Sequence, residues 1–126
     1  MIPMFALLLV ATAPVLAHHS FAVFFDADHT ITVSGTVIDF QFRNPHGVIR
    51  LKVVEKGGEE ITWKAETNSP SILERRGWSK DSLKAGELIT IDGWPARDGT
   101  RYLRMRTVKR ADGSIIGVPF APREQQ

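Results

Sequence analysis

The sequence predicts a small all-β domain with one short helix, built as an OB-fold-like barrel of five strands. Three observations predict it: short segments in which apolar and polar residues alternate, glycine-containing turns between them, and one helix-like segment. The order strand, strand, strand, helix, strand, strand is that of a five-stranded, partly open barrel with its helix between strands three and four. A small β-sandwich is the alternative that the pattern leaves open.

The first strand is predicted over residues 30–42. Its apolar residues change phase between Gly35 and Ile38, which indicates a β-bulge or a sharp bend. A turn follows at residues 44–47, where asparagine, proline and glycine stand close together. The second strand is predicted over Val48–Val54.

A Gly57-Gly58 hairpin turn leads into a third strand at Glu60–Glu66. The pattern then becomes helical, because Pro70 suits the first turn of a helix and Gly77 suits its end. The remaining predicted elements are a fourth strand at residues 88–94, a hairpin turn at Asp98-Gly99, a fifth strand at residues 102–108 and a short strand within residues 114–120.

The first 17 residues read as a secretory signal peptide. Residues 5–10 form an apolar run too short to span a bilayer, Pro14 breaks any helix, and Val15 and Ala17 suit the −3 and −1 positions of a signal peptidase site. We therefore expect a signal segment at residues 1–17 and a single domain at residues 18–126, in the periplasm or secreted, with no membrane attachment after cleavage.

Composition and motifs narrow the function further. The chain has 126 residues, of which 43% are hydrophobic and 24% charged, as in ordinary globular domains. The net charge is +2, which gives no reason to expect a nucleic-acid partner. There is no cysteine, no Gly-x-Ser-x-Gly elbow and no glycine-rich phosphate loop. We expect no enzymatic activity.

Several short motifs together resemble a known family. They are His18-His19-Ser20-Phe21 after the expected signal, Gly35-Thr36-Val37, Asn44-Pro45-His46, Trp63-Lys64-Ala65-Glu66, Ser69-Pro70, Arg76-Gly77-Trp78 and Leu83-Lys84-Ala85-Gly86. The chain resembles a family of exported bacterial proteins catalogued as domain of unknown function 6152. The resemblance implies export and a small β fold, and it implies no established activity.

The expected cleavage suggests a metal site. Cutting after Ala17 makes His18 the first residue, so that its α-amine and imidazole can chelate one metal ion. Two nitrogens suit Cu(II), which prefers tetragonal nitrogen coordination. His46, in the turn after the first strand, is the best candidate for a third nitrogen. His19 is a second choice, and Glu66 could be an oxygen ligand or orient a histidine.

Each of these residues also has a purely structural interpretation. Histidines near a cleavage site need no function, and His46 could hydrogen-bond the backbone of its turn. The leading hypothesis is an extracytoplasmic copper-binding protein that serves metal delivery, storage or sensing. The alternative is a non-enzymatic periplasmic binding or accessory module with incidental histidines, whose partner is another periplasmic protein or an unknown ligand.

The tryptophans and arginines are expected to play structural or solvated roles. Trp63 and Trp78 are predicted in the core, whereas Trp94, beside a glycine and a proline, is predicted to be partly exposed and able to stack on a ligand. Arg104 and Arg106 share one face of the fifth strand, which we interpret as a solvated face.

Overall fold

A computed structural model describes residues 21–121, which fold around one hydrophobic core. Two short helices and five strands make up this part of the chain. Their bounds are α1 (Phe21–Phe24), β1 (Ile31–Gln41), β2 (Val48–Val54), β3 (Glu60–Glu66), α2 (Pro70–Glu74), β4 (Leu88–Pro95) and β5 (Tyr102–Arg110). The predicted element order is confirmed, and the bounds of β2 and β3 are those expected from the alternation.

The five strands form one closed barrel in the order β1-β2-β3-β5-β4. The long first strand pairs with β2 and also with β4, both antiparallel. A short parallel pairing between β3 and β5, from Lys64 opposite Tyr102 to Glu66 opposite Arg104, closes the ring. The prediction of an OB-like barrel is confirmed, although the barrel is closed rather than partly open. The β-sandwich alternative is wrong because a single sheet closes on itself.

The predicted irregularity in β1 is also present. The register against β2 shifts between Val37 and Asp39, so Ile38 has no partner on β2. The alternation of inward and outward side chains along β1 therefore changes at this point. Gly35 lies just before this shift, where a Cβ atom would come within 2.5 Å of the Lys52 carbonyl oxygen. The close approach of β1 to β2 therefore requires glycine at this position.

The core contains the inward residues of all five strands and is completed by the segment between β3 and β4. Leu73 of α2 is fully buried, and Trp78 follows it into the core, where its ring meets Phe40 edge-on at 5.8 Å. Gly77 ends the helical segment with a φ of 88°, a conformation that glycine adopts without strain. The core positions predicted for Trp63 and Trp78 are confirmed, with Trp63 partly buried.

The segment before β1 covers the outside of the barrel, with Phe21 and Phe25 buried against it and Phe24 exposed. Phe21, in a helical turn that was not predicted, packs edge-on against Trp94 with ring centroids 5.3 Å apart. Phe25 packs against Tyr102 at 5.7 Å. Trp94 is only 1% exposed as a result. The prediction that Trp94 is partly exposed and free to stack on a ligand is therefore wrong.

The chain after β5 forms no further strand within the described residues. Ile115 makes an isolated bridge to Lys109, and Phe120 is buried under the Arg76 guanidinium, whose central carbon lies 4.3 Å from the ring centroid. The short strand predicted within residues 114–120 is thus reduced to one bridge. None of the helices in residues 21–121 is both long enough and apolar enough to cross a membrane.

Candidate functional site

The turn between β1 and β2 lies against the end of β3. The Gly47 carbonyl oxygen accepts a hydrogen bond of 2.9 Å from the Thr67 amide, directly after β3. Gly47 is packed so closely here that a Cβ atom would lie 2.6 Å from the Thr67 hydroxyl oxygen. The backbone of the turn is therefore fixed to β3, and His46 stands beside the last residue of that strand.

Two residues predicted as metal ligands are consequently neighbours. The Nδ1 atom of His46 lies 3.9 Å from the Oε1 atom of Glu66, although 20 positions separate them along the chain. The His46 side chain is 45% exposed, whereas Glu66 is mostly buried. Other predicted ligands, His18 and His19, lie outside the described residues, and their role stays a prediction.

A buried arginine shares this position with the histidine and the carboxylate. Arg104 is 5% exposed, and its Nη1 donates a hydrogen bond to Glu66 while its Nη2 donates one to the Asn68 side-chain oxygen. The same Nη1 lies 3.3 Å from the His46 Nδ1. Arginine and glutamate form a largely buried ion pair, and Asn68 supplies a further acceptor for the guanidinium.

Tyr102 completes the cluster from the other side of Glu66. Its hydroxyl donates a hydrogen bond to Glu66 Oε2, so each carboxylate oxygen accepts at least one hydrogen bond. Burial, and then the hydrogen bond to the Glu66 carboxylate, raise the pKa of Tyr102 far above its usual value. Burial lowers the pKa of Arg104, and the Glu66 charge opposes that effect. The Tyr102 hydroxyl therefore keeps its proton across the physiological pH range.

Arg104, Asn68 and Tyr102 belong to this cluster and were not predicted as site residues, and Arg104 is the one whose predicted environment differs most from the structure. The alternation correctly gave it an outward position on β5, opposite Leu103 and Met105, and this suggested a solvated side chain. The structure covers that position from both sides, because Arg104 pairs in register with Glu66 on β3 and with Trp94 on β4. The interpretation of Arg104 as part of a solvated face is wrong, whereas Arg106 is exposed.

The cluster has a defined proton arrangement. Because arginine offers only donors, His46 Nδ1 must accept in its contact with Arg104, and the ring proton of a neutral His46 then sits on Nε2. Within residues 21–121 no group of three or more histidine, aspartate or glutamate side chains could hold a metal ion. The described residues can supply one imidazole and one carboxylate to such a site, and any further ligands would have to come from elsewhere.

These features define the chain as a small OB-type barrel protein whose barrel end carries a buried arginine–glutamate pair beside an exposed histidine. Residues 6–104 match a protein family described as "Family of unknown function (DUF6152)". The chain belongs to this family, as the sequence motifs suggested. A search of curated proteins finds no match.

Proposed function

We propose that this protein binds Cu(II) outside the cytoplasm, in metal delivery, storage or sensing. His18, as the first residue after signal cleavage, supplies its α-amine and its imidazole, and His46 supplies a third nitrogen. Glu66 orients the His46 ring, and His19 is the reserve ligand. Three nitrogens in this arrangement suit the tetragonal preference of Cu(II).

The course of the chain ahead of β1 is the observation that supports the proposal. Phe25 packs on Tyr102, and Phe21, four residues earlier, packs on Trp94, which pairs in register with Arg104. Phe21 therefore packs on a register neighbour of Arg104, and the Arg104 guanidinium contacts His46. His18 precedes Phe21 by three residue steps along the chain, which span at most about 11 Å when fully extended.

Copper binding at His46 would require a change of tautomer. A metal on Nε2 displaces the proton of that atom, and the neutral ring then carries its proton on Nδ1. The Nδ1–H group then needs an acceptor in place of its contact with Arg104. Glu66 Oε1, 3.9 Å away, can serve after a shift of about 1 Å to reach hydrogen-bond distance. Glu66 would therefore act on the imidazole, in the way carboxylates commonly orient metal-bound histidines.

Glu66 is less suited to bind the ion directly. Its oxygens already accept hydrogen bonds from Tyr102 and Arg104, and the arginine charge lies against it. A copper ion on Glu66 would have to share an oxygen with one of these donors and would face the guanidinium. The orienting role is therefore the one we propose for this residue.

The discriminating experiment compares two forms of the exported protein. One form begins at His18, as checked by mass analysis, and the other carries one extra residue ahead of it. The extra residue removes the amine from chelation geometry. We expect Cu(II) titration calorimetry to show tight binding for the first form and binding at least about 100-fold weaker for the second, and the release of protons on binding near neutral pH.

His46→Ala tests the third nitrogen, with His29→Ala as the matched control. His29 is an exposed histidine whose Nδ1 atom lies 2.9 Å from an Asp26 oxygen. We expect weaker binding and an altered copper EPR spectrum for His46→Ala alone. Equal, weak binding by all four proteins would contradict the proposal and favour the alternative, a non-enzymatic binding or accessory module in which the histidines are incidental.

A further inference from the structure

A groove runs across the outer face of the barrel, over β2, β3 and the start of β5. Its volume is about 680 Å³, within the range of small-molecule sites. Val48 and Arg50 of β2 face it because they alternate with Ile49 and Leu51, which point into the core. The groove shares Tyr102 with the cluster around Glu66, but the ligand proposed for it does not depend on copper binding.

The groove is cationic. Arg43, Arg50, Lys64 and Arg101 line it, and none of its described lining residues is acidic. Two of these cations already have partners outside the lining: Arg50 donates from Nε to Asp39 Oδ1 at 2.9 Å, and Arg101 lies 3.5 Å from Glu55.

Arg43 and Lys64 are the cations left for a ligand. Neither side chain forms a hydrogen bond or an ion pair with another residue in the range 21–121. Arg43 is near enough to Asp39 to help lower the pKa of that carboxyl, but the hydrogen bond from Arg50 is the main cause. A guanidinium and an ammonium that line the same groove, neither hydrogen-bonded to a carboxylate, favour the binding of an oxyanion there.

The groove also has a rigid apolar wall. Tyr102 lines it, and that ring is held on one side by Phe25 and at its hydroxyl by Glu66. Val48 adds an aliphatic surface on β2. Because the ring is fixed before any ligand arrives, little side-chain entropy is lost when a flat apolar group packs against it.

We propose that this groove binds a small organic oxyanion. Its carboxylate or phosphate group contacts Arg43 and Lys64, and its apolar body lies against Tyr102 and Val48. Carboxylate and phosphate share the recognition chemistry, since both accept charge-assisted hydrogen bonds from arginine and lysine.

The test is an NMR titration of the metal-free full-length mature protein with benzoate, phenyl phosphate and inorganic phosphate. We expect saturable amide shifts along β2, β3 and the start of β5 with at least one aromatic anion, and binding of inorganic phosphate at least about tenfold weaker because it lacks an apolar body. The tighter of benzoate and phenyl phosphate identifies the preferred oxyanion. The absence of saturable shifts with both aromatic anions at millimolar concentration would overturn the proposal.

A pair of double variants separates a groove from general charge attraction. Arg43→Gln with Lys64→Gln removes the two unpaired cations and should weaken binding at least about tenfold. Arg75→Gln with Lys109→Gln lowers the net charge by the same amount at exposed positions outside the groove, and should leave affinity unchanged. Equal weakening by both double variants would show an electrostatic background without a site, and the groove assignment would fail.

Discussion

Glu66→Gln leaves the buried Arg104 guanidinium without its carboxylate and should destabilise the barrel severely. Removing one partner of a buried ion pair costs about 3–5 kcal/mol, because the remaining charge has neither its partner nor water. Arg104 keeps its hydrogen bond to Asn68, so we expect the lower end, about 3 kcal/mol. For a domain of this size that corresponds to a fall in melting temperature of roughly 15 °C.

The matched control is Glu87→Gln, which breaks an ion pair on the same barrel at a more exposed place. Arg110 Nη1 lies 2.5 Å from Glu87 Oε2, with side chains 36% and 29% exposed. Pairs of this kind contribute about 0–1 kcal/mol. Urea unfolding followed by circular dichroism gives both free energies of unfolding. If the two variants lose the same stability, the reasoning about burial at Arg104 is wrong.

A second variant distinguishes an unpaired charge from a general disturbance of the site. Arg104→Met combined with Glu66→Gln removes the charge as well as its partner, so the double variant should recover part of the stability lost in Glu66→Gln alone. If the double variant is instead less stable than Glu66→Gln by as much as Arg104→Met alone destabilises the protein, this account is wrong.

Three further outcomes follow from the same contacts. Gly47→Ala should cost about 2–3 kcal/mol in urea unfolding, since its Cβ would lie 2.6 Å from the Thr67 hydroxyl and 2.8 Å from a backbone oxygen. Folding raises the pKa of Tyr102, so its contribution to the free energy of unfolding is full below about pH 10 and declines as the pH rises further. Tyr102→Phe should remove this loss of stability at alkaline pH. If the free energy of unfolding of the variant falls with alkaline pH as steeply as that of the unchanged protein, the assignment is wrong. Phe21→Ala should lower the free energy of unfolding by about 3 kcal/mol, because the buried ring packs on Trp94. It should also weaken copper binding, because it releases the chain just after the proposed ligands. Full copper affinity in this variant would count against the proposed placement of those ligands.

The parts of the fold set by local pattern were predictable from the sequence. The bounds of β2 and β3 follow from strict alternation on either side of Gly57-Gly58. The bulge in β1 was visible as a change of phase near Gly35, and the helix end at Gly77 as a glycine after a helical pattern. Each of these signals lies within a few residues of the feature it predicts.

The errors concern what covers the outside of the barrel. Trp94 was predicted to be partly exposed from its neighbours, but it is buried by Phe21, which is distant in sequence. Arg104 was read as solvated because Arg106 shares its phase, and its burial depends on the pairing of β5 with β3. A single sequence gives the face on which a side chain lies, but it does not give the segment that packs over that face.

The candidate site was predictable in part for the same reason. His46 and Glu66 were selected separately, as a turn histidine and a strand-end carboxylate, and the structure brings them together. Arg104, which is hydrogen-bonded to Glu66 and lies beside His46, had no signal of its own. To predict this contact, one would have to know that β3 and β5 pair in parallel with Glu66 opposite Arg104, two residues that are 38 positions apart in the sequence.

The way the barrel closes also determines how the chain can fold. Ile31 pairs with Gly93, and Glu66 pairs with Arg104, so two of the five seams join segments far apart in sequence. Contacts between distant segments slow folding, and we expect milliseconds to seconds rather than microseconds. A chain that ends before Tyr102 would lack β5, which pairs with both β3 and β4. The barrel can therefore close only once β5 is available.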